Sequence, residues 1–263
     1  MDNDRISPSD TQEFPSETPS SEPSSTDVSD NEPRWGIPPT TLVLVIIATA
    51  MVGVMTSVAG QLVGYAIAGD AEALAVNVCG SIGLWIGILL FPYLIARKRS
   101  ARLLDLCRLH FKKTDVPLGI AAGLGLQLLV VPLVFYPIRL LAPDRYKSLS
   151  DPAKDIILGY AGWELAVLVL VIGIGAPLVE ELVFRGFVQG AMAERFSMVA
   201  AVITSALIFA VSHAQPLQFI GLFAVGITLG IFRAKFNRIG PCVITHAVFN
   251  MTAIALLQVA SYQ

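Results

Sequence analysis

The sequence predicts an all-α protein: a polytopic bundle of about seven to eight transmembrane helices, preceded by a disordered N-terminal tail. Of its 263 residues, 54% are hydrophobic and only 14% are charged, whereas about a quarter of a soluble domain is charged. Long intervals contain no charged residue at all. The charges that remain are gathered in the first 36 residues and in a few short connections.

Residues 1–36 are predicted to be a disordered, acidic tail rich in Ser and Pro, and residues 37–263 to be the transmembrane domain. The tail holds nine acidic residues against two arginines. Such a segment has too little apolar surface to offset the entropy lost on ordering. A secretory signal needs a basic start and then an apolar stretch. Neither is found here, so the first apolar segment is expected to remain as an anchor.

Charge-free intervals locate the spans, since a membrane helix needs about 20 mostly apolar residues. The interval 196–232 is too long for one crossing, and the Ser, His, Gln and Pro of 212–216 predict a break near its middle. The eighth span would arise if the first interval or the segment 161–196 divides. The intervals themselves are 35–69, 73–96, 116–138, 165–179, 196–232 and 239–263.

Basic residues predict the orientation in the cell membrane. Seven of them lie in the connection 97–113, against one acid, and three more lie at 233–238. Because cytoplasmic loops are enriched in Lys and Arg, both connections are predicted to face the cytoplasm. Two spans precede the first of them, which places the N-terminus in the cytoplasm as well. The three cysteines, Cys79, Cys107 and Cys242, lack a CxxC spacing and are expected to be buried thiols.

Three charges stand within six positions of an otherwise apolar stretch, APLVEELVFRG at 176–186. A charge inside a span costs about 2.5–3.5 kcal/mol on insertion scales. Glu181 and Arg185 are four residues apart in the favourable acid-first order, so a structural ion pair accounts for them. Glu180 points about 100° away around the helix, and that pair leaves it without a partner.

Two of the three histidines also lie in apolar segments, His213 in FAVSH and His246 in HAVFN. Asn250 follows His246 by four residues and shares its helix face, and Phe209 lies one turn before His213. A single buried histidine is more often a packed core residue than a ligand. Two of them with a glutamate and an asparagine in neighbouring spans predict a shared polar site, because ionisable groups in membranes pair with one another.

Two chemistries suit Glu180, His213 and His246. As two imidazoles and one carboxylate they could hold a divalent metal, most simply zinc, whose open position activates a water. Without a metal, Glu180 could act as general base toward a water held by His213, while His246 and Asn250 donate to the oxyanion. Either scheme hydrolyses an amide without a nucleophilic Ser or Cys.

These motifs resemble those of the CPBP intramembrane proteases, the family of the prenyl-protein CAAX endopeptidases and bacterial Abi proteins. EELVFR (180–185) is similar to its EExxxR element, FAVSH to FxxxH, and HAVFN to a histidine followed four residues later by Asn or Asp. The resemblance covers roughly 160–256. It implies Glu180, His213, His246 and Asn250 as catalytic or metal-binding residues, with Glu181 and Arg185 in support.

The predicted function is therefore a membrane-embedded endopeptidase of CAAX or peptide-maturation type. Its partners would be a peptide or protein substrate, lipidated or not, and the lipid bilayer, with no role for nucleic acid. A transporter or proton-coupled carrier would use the same buried groups as a proton relay, and a non-catalytic scaffold would use them for packing. One difficulty follows from the seven-span topology: it places His213 toward the outside and Glu180 and His246 toward the cytoplasm.

Overall fold

The chain folds into helices that follow one another through short connections. The structure, a computed structural model, describes residues 34–70 and 73–261; the predicted tail up to residue 33 lies outside the described residues. Every regular element in the described part is helical, which confirms the all-α prediction. In chain order the α-helices are α1 (Pro39–Ala68), α2 (Leu74–Lys98), α3 (Leu103–Leu106), α4 (Asp115–Gly125), α5 (Val131–Leu141), α6 (Pro143–Lys147), α7 (Asp151–Ile157), α8 (Gly162–Leu170), α9 (Ala176–Glu181), α10 (Gln189–Ala193), α11 (Met198–Ser212), α12 (Phe219–Phe236) and α13 (Gly240–Ser261).

Three π-helical segments join some of these helices into longer ones. π1 (Leu126–Val130) links α4 to α5, π2 (Val171–Gly175) links α8 to α9, and π3 (Leu182–Val188) links α9 to α10. Such single-turn widenings of an α-helix are often found at functional sites. A short 3₁₀ turn, Ser148–Ser150, lies between α6 and α7.

Six helical segments in the described residues are long and apolar enough to cross a membrane. The 15 residues of α11 form a shorter apolar helix. The described residues thus hold six candidate spans and one shorter apolar helix, where the sequence predicted seven to eight spans, and the break predicted at 212–216 falls between α11 and α12. The six long segments are α1, α2, Asp115–Leu141, Gly162–Ala193, α12 and Gly240–Ala260.

Helices α1 and α2 form a hairpin whose two backbones approach closely. A Cβ atom on Gly64 would lie 2.5 Å from the Ala75 carbonyl oxygen and 2.6 Å from the Val76 Cα. Small residues at such crossings permit close van der Waals contact, which stabilises helix pairs in lipid. Helix α1 ends at Gly69, whose φ of +72° allows its N–H to bond the Tyr65 carbonyl.

The helical segment 162–193 corrects the predicted span boundaries. The charge-free interval 165–179 placed Glu180 at the end of a span, but the helix runs on through π3 to Ala193. Pro177 lies inside this segment, two residues after the end of π2, and the segment does not divide there. The charged residues lie within the helix because the protein buries them: Glu181 and Arg185 are both 0% exposed.

Helix lengths also resolve the predicted mismatch in depth between Glu180 and His213. The segment 162–193 and α11 form a hairpin that turns at 194–197. Glu180 precedes Ala193 by 13 residues and His213 follows Met198 by 15, which is about 20 and 22 Å along the two helices. The two side chains therefore reach the same level, because α11 ends before it would complete a crossing.

The first described residues, which precede α1, pack against the helical domain. Trp35 is 1% exposed and its ring meets that of Phe187 edge to face, with centroids 4.9 Å apart. The backbone N–H groups of Trp35 and Gly36 donate to the Glu194 carboxylate at 2.6 and 2.9 Å. The chain is thus fixed to the end of the 162–193 helix before it enters α1.

Replacing Trp35 by alanine should lower the free energy of unfolding by about 3–5 kcal/mol, the usual cost of removing a buried aromatic ring. The measurement is thermal or denaturant unfolding of the purified protein in an uncharged detergent. Trp163→Ala serves as the matched control, since that ring is 70% exposed and its loss should change stability by less than about 1 kcal/mol. Equal effects of the two substitutions would contradict the packing role of Trp35.

Candidate active site

Glu180, in α9, faces His213 and His246, the two histidines of the apolar segments. Its Oε2 lies 4.0 Å from Nε2 of His213 and 3.8 Å from Nε2 of His246. The same oxygen is buried and has no hydrogen-bond partner among the described residues. Glu180 and His213 keep 22% and 27% of their side-chain surface exposed, whereas His246 keeps 4%. The cluster is therefore open on the side of Glu180 and His213.

Glu181, next along the helix, forms a buried network that shares His246 with Glu180. Its Oε1 accepts from Arg185 Nη1 at 2.9 Å and from His246 Nδ1 at 2.9 Å. Arg185 also donates to the Gly226 carbonyl at 3.2 Å, and its guanidinium lies 4.6 Å from the centre of the Phe209 ring. The predicted ion pair exists, and it also orients His246 toward Glu180.

The two imidazole rings are held with the same tautomer. His213 Nδ1–H donates to the Phe209 carbonyl at 2.8 Å, and its ring meets the Phe209 ring at 4.6 Å between centroids. His246 Nδ1–H donates to Glu181. A carbonyl or carboxylate can only accept, so in the neutral rings both Nε2 atoms carry lone pairs. Both lone pairs are directed to the neighbourhood of Glu180 Oε2.

Asn250 lies one turn after His246 but has another hydrogen bond. Its Nδ2 donates to the Ile172 carbonyl in π2 at 3.0 Å. A π-helical turn changes the usual backbone pairing, and a side-chain donor can satisfy the carbonyl involved. Asn250 thus ties α13 to the helix that carries Glu180, and its second Nδ2 hydrogen remains available to another acceptor.

Side chains from neighbouring elements also support π3. Ser205 Oγ donates to the Phe184 carbonyl at 2.9 Å, and Cys107 Sγ contacts the Leu182 carbonyl at 3.5 Å. Cys107 can approach because position 186 is glycine, where a Cβ atom would lie 2.6 Å from the Cys107 Cβ. The widened turn after Glu181 is therefore fixed from two sides.

Burial raises the pKa of the Cys107 thiol to about 12. Since only the thiolate reacts rapidly with maleimides, Cys107 should stay protonated and unmodified in the folded protein up to about pH 9. The thiolate fraction grows only as the pH approaches the raised pKa. Mass spectrometry of trypsin fragments after labelling at pH 8 provides the measurement, and unfolding in SDS should make the thiol reactive.

The control for that labelling is Arg102→Cys, which places a thiol in the same connection at a side chain that is 79% exposed. It should react more than about 100-fold faster than Cys107. Similar rates for the two thiols would mean that π3 opens readily in solution.

The donor chemistry around Glu180 suits a divalent metal, but the donor spacing is wide. Metal-ligating histidines usually donate their other ring N–H to a carboxylate or carbonyl, as His213 and His246 do. Two ligands of a tetrahedral zinc at about 2.1 Å are about 3.4 Å apart, closer than the separations of 3.8 and 4.0 Å here. Within the described residues, no three His, Cys, Asp or Glu side chains form a ready metal-binding group.

The structure brings together five of the six predicted site residues in two groups that share His246: Glu180 with both histidines, and Glu181 with Arg185 and His246. Asn250 is joined to π2 instead. The bond from Glu181 to His246 was not predicted, because i,i+4 spacing already supplied Glu181 with a partner. The Phe209 carbonyl was also missed as a partner of His213, although its position one turn earlier is the signal that could have indicated it.

Comparison with known proteins finds matches for the part of the chain that carries this cluster. Residues 162–252 match the family described as type II CAAX prenyl endopeptidase Rce1-like. The YdiL protein of Bacillus subtilis (strain 168), named as a candidate membrane peptidase, is 28% identical over 92 residues, which cover 35% of this chain and 37% of YdiL. No solved structure matches the chain significantly. The matched range contains all three motifs and every residue of the cluster.

Proposed function

We propose that this chain, whose residues 162–252 match the Rce1-like CAAX endopeptidase family, is a membrane-embedded endopeptidase of the CPBP type that hydrolyses a peptide bond with a water activated by Glu180 and His213. One observation carries the proposal: Glu180 Oε2, buried and without a partner among the described residues, faces the Nε2 atoms of two oriented histidines. An unpartnered carboxylate at a partly open position is suited to accept a proton from water.

In the proposed reaction the water lies between Glu180 and His213. Glu180 Oε2 accepts one water proton as the water oxygen bonds to the substrate carbonyl carbon, and His213 Nε2 accepts a hydrogen bond from the other. The tetrahedral intermediate carries its negative charge on the former carbonyl oxygen. Protonated Glu180 then gives its proton to the leaving nitrogen as the C–N bond breaks, which releases an amine and a carboxylic acid.

His246 and Asn250 are the proposed oxyanion donors. His246 can donate from Nε2 only as the imidazolium, because Nδ1–H is bound to Glu181. Asn250 would use the Nδ2 hydrogen that does not bond Ile172. Donors aimed at developing charge in a site shielded from water contribute strongly to acyl-transfer reactions.

If a metal takes part, Glu180, His213 and His246 would hold it. A zinc ion there would lower the pKa of a bound water and so supply a nucleophile at neutral pH. Because the donor separations exceed those of a preformed zinc site, we expect direct activation of water by Glu180.

Removing metals should therefore leave proteolysis unchanged. The measurement compares activity before and after dialysis against a chelator, together with elemental analysis of the detergent-purified protein and of His213→Ala. The opposite result would be stoichiometric zinc in the unmodified protein, its absence from His213→Ala, and loss of activity on chelation. That result would assign Glu180 and His246 as co-ligands.

The proposed substrate is a peptide or protein at the cytoplasmic face of the cell membrane. The basic connections 97–113 and 233–238 support that orientation. Two fluorogenic peptides of the same sequence, both ending in a CAAX motif, would be added to the protein in proteoliposomes. One of them is farnesylated and the other is unmodified. Cleavage of the farnesylated peptide alone would indicate a CAAX-type activity, and a membrane-peptide pool analysed for new termini would identify other substrates.

The control for these assays is Glu180→Gln protein prepared in the same way. If the unmodified protein and the variant produce the same termini from every substrate, the proposed peptidase activity is wrong. Proton or solute flux that depends on Glu180, without new termini, would favour a carrier instead.

A further inference from the structure

Gln189 is a buried polar residue that the proposed reaction does not use. It lies in α10, one helical turn beyond Arg185 and two beyond Glu181, and it is 1% exposed. Its Nε2 donates to the Gly230 carbonyl in α12 at 2.9 Å. Its Oε1 is buried and has no hydrogen-bond partner among the described residues. Because the Gly230 carbonyl can only accept, reversing the amide would lose the bond that exists.

The half-paired amide of Gln189 adds little stability. One internal hydrogen bond contributes only a small net free energy, and a buried polar atom without a partner is unfavourable by at least as much. An apolar side chain of similar size would pack here without that penalty. Between packed helices, the best-attested role of such a residue is to fix the register, which is the height at which one helix lies beside another.

The bonds from Arg185 and Gln189 repeat with the same spacing on both helices. Arg185 donates to the Gly226 carbonyl at 3.2 Å, and Gln189 to the Gly230 carbonyl at 2.9 Å. Donors and acceptors are each four residues apart, about one helical turn. A slide of α12 by one turn would bring a larger side chain opposite one of the donors, since only these two positions are glycine. Arg185 also binds Glu181, whereas Gln189 bonds α12 alone with its one paired donor group.

Helices α11 and α12 pack too closely to shift against each other. A Cβ atom on Gly226 would lie 2.9 Å from the Ala206 Cβ, and one on Gly230 would lie 2.9 Å from the Val202 Cγ1. Small residues at such crossings let two helices interlock. Since His213 stands at the end of α11, the height of α12 also sets the height of His213.

We propose that Gln189 is a positioning residue: its bond to Gly230 fixes the height of the α11–α12 hairpin and so holds His213 opposite Glu180. The separation that it maintains is the 4.0 Å between Glu180 Oε2 and His213 Nε2. Ser205 joins the same hairpin to π3, and Gln189 adds a contact farther along the helix. The effect on catalysis rests on the proposed function, whereas the register itself can be measured without it.

The test measures the register with two spin labels, on cysteines that replace Leu170 and Ile231, by double electron–electron resonance in nanodiscs. These side chains are 59% and 51% exposed, and the chain carries Cys79→Ala so that its two remaining thiols are buried. Ile231 follows Gly230 and lies near the level of Gln189, 19 residues beyond Leu170, so the labels are about 28 Å apart along the helix. Gln189→Met should shift or broaden that distance by about 1–5 Å, from a small helix shift to one turn.

Stability and turnover of Gln189→Met distinguish positioning from packing. The unfolding midpoint should stay within about 4 °C, because the bond and the unpaired oxygen are removed together. The kcat should fall about 10- to 100-fold, since a displacement of about 1 Å can cost about 10²-fold, and KM should stay within about twofold. A residue that only stabilised the fold would lower the midpoint and leave kcat of the folded protein unchanged.

The matched control is Thr228→Val, between the two glycines of α12. The Thr228 hydroxyl donates to the Ala224 carbonyl of its own helix at 3.0 Å, so its loss should change neither the label distance nor kcat. An unchanged distance in Gln189→Met, an equal change in Thr228→Val, or a large fall of the midpoint would overturn the register role. A changed distance with full kcat would overturn the positioning of His213. If the unmodified protein cleaves no peptide, a changed distance in Gln189→Met would support the register role while the proposed peptidase activity is wrong.

Discussion

Replacing Glu180 by glutamine should lower peptidase turnover by about 10²- to 10⁴-fold, the range that a general base contributes. The substitution keeps the shape of the side chain and removes the group that takes the water proton. Glu180 Oε2 has no hydrogen-bond partner among the described residues, so the fold should lose little. The measurement is turnover in proteoliposomes, with thermal unfolding of the same preparation to show that the variant is folded.

The matched control is Glu164→Gln, near the start of the same helical segment. Glu164 precedes Glu180 by 16 residues, about 24 Å along the helix, and its loss should leave turnover within about twofold. Activity retained in Glu180→Gln, under conditions where Glu164→Gln behaves like the unmodified protein, would refute the role of Glu180.

Glu181→Leu should lower the free energy of unfolding by about 3–5 kcal/mol, the usual cost of breaking a buried ion pair on one side. Arg185 would then be a charge inside the protein with 0% exposure and without its carboxylate. Thermal unfolding in detergent measures the loss. Asp151→Asn, which removes an exposed partner of Lys154, is the comparison and should cost less than about 1 kcal/mol.

The double variant Glu181→Leu with Arg185→Leu separates stability from catalysis. Replacing both members of a buried pair by apolar residues is often close to neutral, so much of the lost stability should return. Turnover should stay low, on the order of 10- to 100-fold below that of the unmodified protein, because His246 has lost the acceptor that orients its ring. Recovery of both properties would show that Glu181 has no part in positioning His246.

The approximate positions of the spans and the polar residues inside them could be predicted because both are marked by local sequence. Charge-free intervals mark helices in lipid, where an unpaired charge is costly, and the spacing of His246 and Asn250 places them on one helix face. The ion pair of Glu181 with Arg185 follows from i,i+4 spacing. Each of these inferences needs only one segment of the chain.

Features that depend on contacts between segments could not be predicted. The apolar interval ending before Glu180 indicated a helix end, yet Arg185 is buried against Gly226 and Phe209 from other helices, and the helix continues. The π turns have no sequence signature of their own. Their supporting donors, such as Ser205 and Asn250, come from α11 and α13.

The short helix α11 has a consequence for the bilayer around the protein. Its outward apolar stripe, from Val199 to Val211, is about 18 Å long, whereas the stripe on α1 from Val43 to Ile67 is about 36 Å. A bilayer with a hydrocarbon core of about 30 Å cannot match both faces. The bilayer is therefore expected to thin beside α11. Beside α1, either the bilayer thickens or the helix tilts. Acyl-chain length should accordingly act on the Glu180 half of the molecule more strongly than on the α1–α2 hairpin.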